Sequence, residues 1–202
     1  MMIPQTALRS AARAPLLLRQ SINSPSRTFI SIPGLTHTLP TQNLTATRTL
    51  PYATGPLYTL IAADSYSTFV PYCSRSRVTR HSSPDPVTGF RHPVLADLHI
   101  GWGGFDEKFT SRLHCVPGVS VEALSGGGED GDASAVFKSL VTRWTLTKLE
   151  EARTEVHLDI KYQFTNPLYA AVSAAVSDKV ATLMIEAFEM QAKRRLGHKA
   201  AP

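Results

Sequence analysis

Five of the seven histidines, His81, His92, His99, His114 and His157, carry the side chain best suited to proton or metal chemistry near neutral pH into the strand-rich part of the chain, and they lie singly there. None forms an HxH or HxxxH set, and neither Cys73 nor Cys115 falls at ligand spacing from them, so no metal site is expected. Two cysteines are also too few for a disulfide framework and read as small buried residues of a reducing compartment. There is no Gly-x-Ser-x-Gly elbow, phosphate loop or dinucleotide fingerprint. Gly101-Trp102-Gly103-Gly104 is glycine-rich, but no helix follows it, so it reads as a turn. Tyr72, Glu107 and Arg112 remain for acid–base work, a thin set for an enzyme. No catalytic cofactor is implied.

The elements that must position these residues are strands, then one long helix. Gln42 to Leu50 alternates through Leu44, Ala46, Arg48 and Leu50 and predicts a first strand, stopped by Pro51. Thr54-Gly55-Pro56 opens a short helix, and Asp64 caps a second small turn carrying Tyr66 and Phe69. Extended segments follow at Ser74–His81, Phe90–Gly101, Glu107–Val116 and Val119–Ser125. A polar acidic loop, Gly126–Ser134, precedes a closing hairpin of Phe137–Lys148 and Thr154–Thr165. Asn166-Pro167 then starts a helix that nothing interrupts before Gly197, about 45 Å long at 1.5 Å per residue. Its expected apolar stripe is Leu168, Val172, Val176 and Val180, continued by Leu183, Met184, Ala187 and Phe188. The order predicts an α+β helix-grip fold: a curved antiparallel sheet of about six to seven strands around a long C-terminal helix, with two short helices after the first strand.

The net charge of +5 suggests an anionic partner until its distribution is read. Residues 1–63 contain no acid, and Arg9, Arg13, Arg19 and Arg27 lie among serines, alanines and a Leu16-Leu17-Leu18 patch, the pattern of a mitochondrial transit peptide over residues 1–29. Without that segment 17 basic residues face 16 acids, so no nucleic-acid partner is expected. Residues 30–41 read as a linker, 42–197 as the domain and 198–202 as a disordered tail. No run of apolar residues is long enough to span a membrane.

Tyr66-Ser67-Thr68-Phe69-Val70-Pro71-Tyr72-Cys73-Ser74-Arg75-Ser76 resembles the mitochondrial coenzyme Q-binding proteins, which belong to the START-like, polyketide-cyclase-related superfamily. The similarity continues through Glu107-Lys108-Phe109-Thr110-Ser111, through Phe137-Lys138-Ser139-Leu140 with Trp144, and through Tyr162-Gln163-Phe164-Thr165-Asn166-Pro167-Leu168. It closes at Glu186-Ala187-Phe188 and so spans most of the chain after residue 42. The resemblance implies a non-catalytic chaperone that binds ubiquinone, peripheral to the matrix side of the inner membrane. Such a protein supports respiration and ubiquinone biosynthesis, with respiratory complexes or the biosynthetic assembly as receivers. The alternatives are a polyketide aromatase/cyclase of the same superfamily and a ribosome-associated interaction module.

A ubiquinone site requires an apolar tunnel, a polar contact for the head and an exit towards the membrane. Given the resemblance, Val176, Val180, Leu183, Met184 and Phe188 are expected from the helix and Trp144 from the closing hairpin. Phe69, Pro71 and Tyr72 are expected at the mouth, where the Tyr72 hydroxyl meets a quinone carbonyl. Leu95, Leu98 and Ile100 are candidates for the tail wall, two of the three sharing a face, and Trp102 and Phe105 for a portal lid or membrane-dipping corner. Glu107, if it faces inward, must be hydrogen-bonded or protonated.

Overall fold

The computed structural model describes residues 39–197, except 64, 103–104 and 127–133; the side chains of 102, 105 and 172–178 also lie outside the described residues. The expected transit segment, linker start, tail and Asp64 cap, with most of the acidic loop, therefore fall outside the description. Seven strands form one sheet: β1 (Gln42–Leu50), β2 (Cys73–His81), β3 (Pro93–Trp102), β4 (Phe105–Val116), β5 (Ser120–Ser125), β6 (Phe137–Glu150) and β7 (Arg153–Phe164). Their order is β1-β7-β6-β5-β4-β3-β2, every pair antiparallel. A short helix α1 (Thr54–Ile61) and a 3-10 turn (Tyr66–Thr68) separate β1 from β2, and α2 (Pro167–Leu196) ends the domain. This is the helix-grip arrangement.

The turns follow from local chemistry. In the β2–β3 connection the Asp85 carboxylate accepts from the Val87 and Thr88 backbone N–H groups at 3.0 and 2.8 Å, and Gly89 supplies the left-handed residue at φ 69°. Gly126 closes β5 at φ 75°, and a Cβ there would stand 2.8 Å from the Lys138 carbonyl oxygen, so a glycine is required.

Asn166 caps α2 with its side-chain oxygen, accepting from the Leu168 and Tyr169 N–H groups at 3.0 and 3.3 Å. Gly197 ends the helix in right-handed geometry, φ −65°, so its freedom at positive φ is not used. The apolar stripe differs from the expected one. Its expected members Ala187 and Phe188 are buried, but Leu168 is 67% exposed, and Ala181, Ile185 and Ala192, outside the expected stripe, are buried too. The reason is geometric: each i+4 step overshoots a full turn by about 40°, so a ladder begun at Leu168 is carried roughly halfway round the helix by Phe188. Ile185, Phe188 and Ala192 pack with Trp144, Leu146, Val156 and Leu158 of β6 and β7, the main core.

Candidate functional site

Towards β2–β5 the sheet departs from the helix and leaves an apolar cavity of about 230 Å³. Its sheet wall comes from side chains of one parity: Ala96, Leu98 and Ile100 of β3, Phe109, Ser111 and Leu113 of β4, and Val121, Ala123 and Ser125 of β5. Leu140, Thr142 and Trp144 of β6 and Tyr162 and Phe164 of β7 continue it. Val180 and Met184 of α2 form one side, and Ile61, Tyr66, Val70, Pro71 and Tyr72 another.

The expected site residues divide by this geometry. Pro71, Tyr72, Leu98, Ile100, Trp144, Val180 and Met184 line the cavity. Leu95 does not: it pairs with Arg80 and Arg112 on the outer face, one residue out of phase with Ala96 and Leu98. Phe69 and Phe188 stand behind the wall with ring centroids 6.4 Å apart, and Phe188 also packs on Trp144 at 5.1 Å. Leu183 is half-buried and outside the lining, because its neighbour Met184 takes the inward position. Glu107 shares the inward parity but is diverted. Its carboxylate accepts from Ser134 Oγ at 2.9 Å and the Ala135 N–H at 2.8 Å, tying β4 to the segment before β6. Trp102 and Phe105 end a paired hairpin whose side chains, like that of Val176, are not among those described.

Small side chains create the space. Ala96 pairs with Ser111, and the Arg112–Leu124 pairing sets Ser111 beside Ser125, so three small residues adjoin across three strands. Ser111 and Ser125 are buried, and their hydroxyl oxygens are 2.6 Å apart. Sequence reasoning did not select these two. Their inward parity was visible in each strand, but the register that joins them was not.

Among the described residues the lining includes one charged residue, Arg77, which pairs with Asp97 in the outward phase of the strands. No Asp, Glu, His or Cys lines the cavity among the described residues. Burial pushes the Tyr66 phenol far above its usual range, and the phenol donates to the Ile61 carbonyl at 2.7 Å. Burial also raises both cysteine thiols, which stay protonated; Cys73 donates to the Arg75 carbonyl and Cys115 to that of Pro93. Among the described residues no three His, Cys, Asp or Glu side chains are grouped to hold a metal ion. Such a wall can desolvate and shape an apolar molecule.

Tyr72 is the one described non-glycine residue at positive φ, 62°, and it is 42% exposed at the cavity's edge. Pro71 before it and the β2–β3 pairing after it hold that conformation, with the Gly101 N–H donating to the Tyr72 carbonyl at 2.9 Å.

Comparison with known proteins agrees with this architecture. Residues 57–189 match the family described as polyketide cyclase / dehydrase and lipid transport. The mitochondrial coenzyme Q-binding protein of Schizosaccharomyces pombe is 34% identical over 73% of this chain and 85% of its own length. The ribosome association toxin RatA of Pseudomonas aeruginosa is 28% identical over 73% of this chain and 93% of its own. The crystal structure of the Zhui aromatase/cyclase from a Streptomyces species superposes with a TM-score of 0.65 at 13% identity, covering 81% of this chain and all of that one, a likeness of fold alone. The chain therefore belongs to the mitochondrial coenzyme Q-binding protein family, a branch of the START-like, polyketide-cyclase-related superfamily.

Proposed function

We propose that this chain binds ubiquinone in the cavity between α2 and the sheet and acts as a non-catalytic lipid chaperone. It serves respiratory electron transport and ubiquinone biosynthesis from the matrix side of the inner membrane. The observation that carries the reading is an apolar cavity whose described wall holds no carboxylate, imidazole or thiol. It offers desolvation and shape, and it lacks the paired groups that enolisation or dehydration would use. Relatives named as mitochondrial coenzyme Q-binding proteins supply the ligand class and the compartment. The expected transit peptide over residues 1–29 points to the same compartment.

A membrane partner is supported by the surface. The outer faces of β2–β4 carry Arg75, Arg77, Arg80, Lys108 and Arg112 against Asp97 and Asp106. The β2–β3 tip displays Val87, 91% exposed, and Phe90, 49% exposed. Cations beside apolar tips suit an anionic bilayer, whereas RNA would leave the tips unused. No described helix is long and apolar enough to cross a membrane.

The test is mass spectrometry on an organic extract of the protein purified from a ubiquinone-making host. Stoichiometric quinone is expected. An empty protein that brings down RNA or a ribosomal subunit would replace this reading with the interaction module, and one with neither would reopen the cyclase.

A further inference from the structure

We propose that the Ser111–Ser125 hydroxyl pair is the anchor for the oxygenated ring of the lipid, so that the polar end enters the cavity and the isoprenoid tail trails towards the mouth. The inference rests on the lipid-cavity reading and adds a direction and a recognition group to it. Both serines are more than nine-tenths buried, both line the cavity, and their Oγ atoms are 2.6 Å apart.

Two hydroxyls carry two protons but share one bond. Whichever oxygen donates, the other keeps a proton, and no further partner for either side chain exists among the described residues. A buried O–H without an acceptor is unfavourable, and the hydrocarbon that makes up most of the wall offers none. A quinone carbonyl supplies that acceptor. The same pair has free lone pairs and accepts from a quinol O–H, so one anchor serves both redox states without any change of protein charge.

The surroundings fit a ring. Ala96 beside Ser111 leaves space, while Phe109 and Phe137, with centroids 5.5 Å apart, offer aromatic surface on the mouth side of the pair. Another buried donor in the wall, Trp144 Nε1, has no partner among the described residues. It lies four residues along β6 from Leu140, the partner of Ser125, and its indole is packed on Phe188. That position places it past the serines, away from Tyr72.

The experiment compares the wild-type chain with the Ser111→Ala/Ser125→Ala double variant. Each is titrated with a short-tailed ubiquinone, the corresponding quinol, and squalene, an isoprenoid hydrocarbon without a ring oxygen. Removing both members of a buried pair together leaves no orphan, so the ligand-free melting temperature should hold within a few degrees. The double variant should lose about three- to tenfold in affinity for quinone and quinol alike and change less than twofold for squalene. An unchanged quinone affinity in the folded double variant would overturn the anchor, as would equal losses for quinone and squalene. A wild type that binds neither ligand would instead overturn the cavity reading on which the anchor depends.

Discussion

The sheet has a packed half and a hollow half, and the difference lies in side-chain size rather than in backbone architecture. Around the β6–β7 turn the inward positions are Leu146, Val156, Leu158 and Ile160, with Trp144 at the boundary of the cavity, and they close on Ile185 and Phe188 of α2. Over β3–β5 the inward positions include Ala96, Ser111, Ala123 and Ser125, and the helix contributes Val180 and Met184 across a gap. Hydrogen-bond ladders run through both halves, so the strands hold their positions even where little fills the space above them. A fold can therefore keep an apolar void if one region supplies the stability that the other forgoes.

Substitutions at three positions probe that division. Phe188→Ala, in the packed half, should cost about 3–5 kcal/mol, read as a lowered denaturant midpoint. A loss below roughly 1 kcal/mol would mean that the packed half is not where the stability lies. Ala123→Phe, in the hollow half, should abolish quinone retention while barely moving the midpoint. In a filled core the same enlargement costs about 1–3 kcal/mol, and a loss of that size would show that the void is smaller than described. At the rim, Tyr72→Gly should be more stable than Tyr72→Ala by about 1 kcal/mol, because both remove the ring but only glycine accepts a positive φ freely. Equal melting temperatures would remove the backbone argument at Tyr72.

Much of the fold was legible because alternation and turn residues are local. The strand around Leu98 and Ile100, the stop at Pro51 and the Asn166-Pro167 helix start all depend on neighbours within a few positions. The site was less legible because its walls depend on register. Alternation already separated Leu95 from Leu98 and Ile100, but only the pairing with Arg80 and Arg112 shows that the face of Leu95 is the outer one. Glu107 has inward parity, but Ser134 and the Ala135 N–H, 27 and 28 residues away, engage its carboxylate. The i+4 ladder from Leu168 ignored the drift of a straight helix, which is why Ile185 escaped notice. Ser111 and Ser125 meet only after β4 and β5 have paired.

The hollow half also leaves β2 as an outer edge of the sheet. At the other edge, α2 reaches β1, where Arg48 holds Glu186 and Glu189 at 3.5 and 3.1 Å. β2 breaks register with β3 at three places and carries Arg75, Arg77 and Arg80. An irregular, cationic edge is a poor template for a foreign strand, because it neither presents an even row of amides nor tolerates its own copy alongside. A chain with a greasy interior open at one side is thereby protected from growing edge to edge into fibres.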